Sequence, residues 1–84
     1  MQVLLLCLIT QNGLSIDINP LYNPYVAGTY ISPATGYIYA NRNSIFEHKI
    51  NKDDELYKIF ISYGWSWGGN WVGKKDYQHF EKSI

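Results

Sequence analysis

Eighty-four residues admit one domain with a thin core, because a chain this short buries only roughly 60–65% of its unfolded surface. Seven basic and seven acidic residues cancel to a formal net charge of zero, so no basic excess exists to hold a phosphate backbone, and nucleic acid is excluded as a first expectation. A single cysteine, Cys7, excludes an intramolecular disulfide.

The apolar run over residues 3–9 predicts a buried core strand, with Cys7 as a small buried hydrophobe. It is too short to cross a bilayer, which takes ~20 apolar residues. It lacks the preceding positive charge and the following small-residue cleavage site of a secretion signal. Gln11-Asn12-Gly13 is a turn signal. Leu14, Ile16 and Ile18 then alternate with Ser15, Asp17 and Asn19, a period of two that predicts a strand with one apolar face and Asp17 on the other. Pro20 and Pro24 end it.

Residues 20–48 read as a long ordered loop carrying five tyrosines, with a turn at Ser32-Pro33-Ala34-Thr35-Gly36. Asn51 is placed as a helix N-cap, with Asp53, Asp54 and Glu55 in the first turn where the dipole favours them. Leu56, Ile59, Phe60 and Tyr63 follow at helical spacing, and Gly64 is suited to the left-handed residue after the helix. A loop of tryptophans and glycines comes next, then a closing strand from Tyr77. The whole is expected to be a small α+β domain: a small antiparallel sheet with one main helix.

The candidate chemistry lies at Asp76 and His79, which are three residues apart behind that loop, and at Asp17 upstream. A catalytic zinc site takes three protein ligands and an open position for water, and the water needs a base nearby. Asp17 and His79 are candidate ligands and Asp76 a candidate base. On a straight strand Asp76 and His79 would face opposite ways, so convergence requires non-extended backbone at Tyr77-Gln78. Spacing alone goes no further than a small α+β domain of unassigned function.

The block Gly13-Leu14-Ser15-Ile16-Asp17-Ile18-Asn19-Pro20-Leu21-Tyr22-Asn23-Pro24-Tyr25-Val26 resembles the first zinc-ligand block of the bacterial and phage D-alanyl-D-alanine carboxypeptidase / L-alanyl-D-glutamate endopeptidase family. Gly64-Trp65-Ser66-Trp67-Gly68-Gly69-Asn70-Trp71, with Asp76-Tyr77-Gln78-His79-Phe80-Glu81, resembles that family's closing block. The resemblance implies a truncated hedgehog/DD-peptidase-like fold over residues 13–84, after an atypical apolar start at residues 1–12. It implies a zinc peptidase that cuts a peptidoglycan stem peptide, as carboxypeptidase or endopeptidase. Its place of action is left open between periplasmic, extracellular and phage-delivered. Asp17 and His79 would be zinc ligands and Asp76 the general base. Trp67, Gly68, Gly69 and Trp71 would shape the substrate cleft. Glu81 is either a support for the His79 ring or an exposed charge.

The family's first block reads His-x-x-Gly-x-Ala-x-Asp, and Thr10 stands where the histidine belongs. A neutral hydroxyl is a poor zinc ligand, so only two matched ligands remain and little or no activity is expected. His48 could replace the missing ligand only by folding back over the site. The alternative function is a metal-free, aromatic-lined module that binds peptidoglycan or peptide by stacking and hydrogen bonds.

Overall fold

The computed structural model describes residues 5–10 and 13–83, the side chains of residues 6 and 10 aside. The expected turn at Gln11-Asn12 and the start of the apolar run lie outside the described residues. Strands β1 (Leu5–Thr10) and β2 (Gly13–Ile18) pair antiparallel, with Leu6 opposite Asp17 and Thr10 opposite Gly13. β2 continues the sheet on its other side to β7 (His79–Ser83), which pairs with the short β5 (Ser66–Trp67), giving the order β1-β2-β7-β5. A second antiparallel sheet joins β3 (Tyr25–Ala27), β4 (Tyr30–Ser32) and β6 (Lys75–Asp76) in the order β4-β3-β6. The α+β class, with antiparallel pairing and one main helix, is as expected; the strands divide between two small sheets.

The core is small. Ile18, Ile50, Trp67 and Phe80 are buried, with Ile16, Leu56, Phe60 and Trp65 among the half-buried residues packed against them. Alternation in β2 works as its sequence dictates: Ile16 and Ile18 face this core while Asp17 faces away. The apolar run before it does not. Leu5, Leu8 and Ile9 are 58%, 51% and 78% exposed and Cys7 is exposed as well. The reason is topological. β1 is the outer strand of its sheet, whereas α1 (Glu55–Ser62) packs by β5 at the opposite edge.

The helix begins later than expected. Asn51 and Asp54 bond one another's segment instead: Asp53 N–H donates to Asn51 Oδ1 at 2.8 Å, and Asn51 N–H donates to Asp54 Oδ2 at 2.9 Å. Asn51 to Asp54 is therefore a side-chain-stabilised turn, and Asp54 is the residue that caps the helix in position, without a side-chain cap bond. Leu56 and Phe60 reach the core, Phe60 stacking on Phe80 at 4.4 Å. Ile59 and Tyr63, expected on the same face, are 54% and 69% exposed, because a two-turn helix on so narrow a sheet presents only one edge and Trp65 covers the flank of Phe60 at 5.2 Å. Gly64 takes φ +88° after the helix, as its position requires.

Residues 20–48 are more ordered than a loop. They hold the β3–β4 hairpin, turned at Gly28-Thr29 with Gly28 at φ +60°, and a 3₁₀ segment at Ala34–Tyr39. Asn23, fully buried, anchors the rest. Its amide donates to the carbonyls of Asn19 and His48, and its oxygen accepts from Ile50 N–H and the Arg42 guanidinium. Arg42 also donates to the Tyr22, Tyr39 and Ile50 carbonyls and lies over the Tyr77 ring at 4.3 Å. Burial pulls the Arg42 guanidinium down from its usual value to about 10, against the opposing influence of Tyr77 and Asp54, and it stays charged at neutral pH.

Asn23→Ala strips four buried partners at once. Arg42 keeps three other acceptors and the Asn19 carbonyl keeps Asn23 N–H, which leaves the Ile50 N–H and the His48 carbonyl unsatisfied at ~1–3 kcal/mol each, so a total near 3 kcal/mol is expected, or a fall in Tm of roughly 15 °C in a domain of this size. Thermal unfolding beside Ile45→Ala, at a residue 99% exposed, checks this. A fall of only ~2 °C for Asn23→Ala would remove Asn23 from its anchoring role.

Candidate active site

Asp17 and His79 are direct partners across the β2–β7 ladder. Ile18 N–H bonds the Gln78 carbonyl at 2.9 Å, so the neighbouring Asp17/His79 pair is of the non-hydrogen-bonded kind, in which side chains approach most closely. His79 Nδ1 lies 3.1 Å from Asp17 Oδ1. Asp76 ends β6, and the chain reverses at Tyr77-Gln78 before β7 begins. That turn is the non-extended backbone the sequence demanded. One ligand atom from each of Asp17, Asp76 and His79 lies within 4.8 Å of the others, and this is the group of metal-ligating side chains found among the described residues.

The remaining ring nitrogen is committed. His79 Nε2 is 2.8 Å from Glu81 Oε1, so Glu81 meets the ring while its carboxylate stays exposed. With Nε2–H donated to Glu81, a neutral ring turns its Nδ1 lone pair toward Asp17; a protonated ring donates to both carboxylates. Burial pulls the imidazolium down, but the hydrogen bonds to Glu81 and Asp17 and the charges of Asp17 and Asp76 outweigh it, and the net shift is upward from 6.5.

Asp76 is the strained member. Its Oδ1 is buried without a hydrogen-bond partner. Burial pushes its carboxyl from 3.8 up to about 6; Asp17 adds to the rise, while His79, the Gln78 N–H and Lys74 oppose it. Two carboxylates and an imidazole, with one buried oxygen unsatisfied, make a donor set suited to a divalent cation.

The four residues expected to line the cleft have different places. Trp67 is 5% exposed, sits in the core, and donates from Nε1 to the Tyr77 carbonyl at 2.8 Å, so it braces the turn from behind. Gly68 backs Asp76: a Cβ there would collide with the Asp76 carbonyl and lie 2.9 Å from its Cβ. Gly69 gives way to the Trp67 indole. Trp71 borders the site itself, its ring 5.5 Å from that of His79. His48 does not fold back; it packs on Tyr22 at 5.0 Å with φ +65°. Thr10, by its backbone pairing with Gly13, stands four strand positions from Asp17, ~13 Å at 3.3 Å per residue.

A groove of about 240 Å³ leads from His79 along β7, bordered by Ser15, Glu81 and Ser83. Sequence reasoning passed over Ser15, although alternation puts it on the same strand face as Asp17. It also missed Arg42, whose contact with Tyr77 spans 35 positions of chain and leaves no local signal.

A family model described as D-alanyl-D-alanine carboxypeptidase matches residues 11–82. The chain has no match among curated proteins or among solved structures.

The two shifted groups fix a pH dependence. Between about pH 4 and 6 the folded chain keeps the Asp76 proton that the unfolded chain has released, so stability falls as pH rises through that window. His79, raised above 6.5, contributes stability that is full below 6.5 and lost as pH passes its folded value. In chelator, the urea midpoint is expected to be higher at pH 5 than at pH 8, and Asp76→Asn to remove the part between pH 4 and 6. Identical pH profiles for the two chains would contradict the Asp76 assignment.

Proposed function

This chain belongs to the D-alanyl-D-alanine carboxypeptidase family, and we propose that its site is a zinc peptidase centre for peptidoglycan stem peptides, held by Asp17 and His79 with Asp76 as general base. The observation that carries the proposal is the convergence of these three side chains within 4.8 Å at the positions where the family's blocks are matched. Zinc bound there would supply Lewis-acid polarisation of the scissile carbonyl and an acidified water.

The protein's own groups have separate tasks. Asp17 Oδ1 and His79 Nδ1, 3.1 Å apart across the ladder, offer one oxygen and one nitrogen ligand. Glu81 holds the Nε2 proton, which fixes the ring and keeps Nδ1 the ligating atom. Asp76, held near a pKa of about 6 by burial, is matched to taking a proton from water at neutral pH and returning it to the leaving amine. The groove beside Ser15 and Glu81 receives the peptide on one side of His79, and Trp71 walls the other.

Two ligands hold zinc weakly, and Thr10 supplies no third. The chain is therefore expected to bind zinc with an affinity well below that of three-ligand sites and to turn over a muropeptide slowly or not at all. Titration calorimetry with zinc and a muropeptide hydrolysis assay test this on the unmodified chain, His79→Ala and Thr10→His. His79→Ala should lose zinc. Thr10→His should gain neither zinc nor turnover, because its position is far along the strand. Tight stoichiometric zinc with turnover in the unmodified chain would overturn the inactivity; failure to bind zinc at all would overturn the metal centre. Peptide binding indifferent to chelator would point to the metal-free module.

A further inference from the structure

We infer that the β3–β4 hairpin is a carbohydrate platform, on which Tyr30, propped by Tyr25, stacks against an uncharged pyranose ring of the glycan that carries the peptide. The choice of glycan rests on the peptidase reading; the stacking itself needs no metal.

Register puts the platform beside the site. Tyr25 is the direct partner of Asp76 in the β3–β6 ladder, and directly opposed residues project from one face of a sheet. The bond from Tyr77 N–H to the Pro24 carbonyl flanks this pair and makes it the closely approaching, non-hydrogen-bonded kind. Across the hairpin, Ser32 lies opposite Tyr25 and Tyr30 opposite Ala27. Tyr30 therefore shares the face of Asp76, two strands away. Two strand spacings of ~4.8 Å and two residues of ~3.3 Å put it roughly 12 Å from Asp76, a distance an extended chain covers in three or four residues of ~3.5 Å each. The groove bordered by Ser15 and Glu81 lies on the other sheet, so the tyrosine pair forms a separate arm of the site.

The surface has the chemistry of a neutral ligand's partner. Residues 18–41 hold five tyrosines and no charged side chain, in contrast to the three carboxylates about His79. Tyr30 is 63% exposed. Its ring meets that of Tyr25 edge to face, with centroids 6.1 Å apart and planes at 68°, which fixes its tilt and leaves most of it to solvent. Its cross-strand neighbour is the small Ala27. An apolar side chain gains little on so open a surface, because it would stay half hydrated. A pyranose suits it better: its C–H face lies on the aromatic ring by dispersion, its hydroxyls stay wet at the rim, and Thr29 and Ser32 offer hydroxyl partners nearby.

The test titrates the full chain, in chelator, with chitotetraose as the glycan probe and follows the ring resonances of Tyr25 and Tyr30. Saturable shifts at both rings are expected. Tyr30→Ala and Tyr30→Thr, the second keeping strand propensity, should each weaken binding about tenfold, the scale of one aromatic stacking contact. Tyr30→Trp should retain binding, and Tyr63→Ala, at an exposed tyrosine closing α1, should leave it unchanged. No binding to the unmodified chain, binding indifferent to Tyr30→Thr, or an equal loss in Tyr63→Ala would overturn the inference. A zinc titration of the same chain separates it from the peptidase reading. Glycan binding in a chain that takes up no zinc sustains the platform while the metal centre falls; zinc uptake without glycan binding does the reverse.

Discussion

The reversal of the chain at Tyr77-Gln78 is the constraint on which the site depends. Asp76 and His79 can serve one centre only if the backbone between them turns, and four contacts from distant parts of the chain hold that turn. Tyr77 N–H bonds the Pro24 carbonyl, and Ile18 N–H bonds the Gln78 carbonyl. The Trp67 indole bonds the Tyr77 carbonyl, and the Arg42 guanidinium covers the Tyr77 ring. Arg42 is in turn fixed through Asn23, which is bonded to both ends of the segment it spans. The aromatic and glycine-bearing stretch before the turn is thus mostly scaffold. Trp67 braces the Tyr77 carbonyl and Gly68 backs Asp76, while Trp71 borders the His79 ring.

The site is costly to the fold that carries it. Three carboxylates lie about one imidazole, and one carboxylate oxygen is buried without a partner. In a domain with so small a core, the Asp76 carboxyl, which resists ionisation where the unfolded chain ionises freely, subtracts from a narrow margin. A positive charge among these groups would offset that cost, which is the physical sense in which the donor set suits a cation.

Much of this was legible in the sequence because it depends on near neighbours. The alternation of Leu14, Ile16 and Ile18 gave β2 and the outward face of Asp17. The three-residue spacing of Asp76 and His79 required a turn, and the turn is there. Gly64 ended the helix where its freedom of φ was needed. What escaped notice depends on where an element sits. The apolar run around Cys7 reads as core, but whether it is covered depends on which edge of the sheet the helix takes. Asn51 has the residue type of an N-cap, yet the Asp54 carboxylate competes for its N–H and moves the helix start by three residues. Ile59 and Tyr63 share a stripe with Leu56 and Phe60, but the sheet beneath is too narrow to accept all four. Trp67 reads equally as wall or core, and only the fold distinguishes them.

Strand β1 has a consequence of another kind. Among the described residues its outer edge has no strand partner in the sheet order, and Leu5, Cys7, Leu8 and Ile9 all reach solvent from it without a charge or proline among them. Sheet edges in soluble proteins ordinarily carry such guards, because an open apolar edge is a template for pairing with a like strand. Self-association of this protein is therefore expected to start at the edge of the sheet, while Asp17 and His79 lie on the next two strands. A lysine at Leu8, across from Ser15 and not from Asp17, is a change by which solubility could be adjusted with the Asp17–His79 pairing left in place.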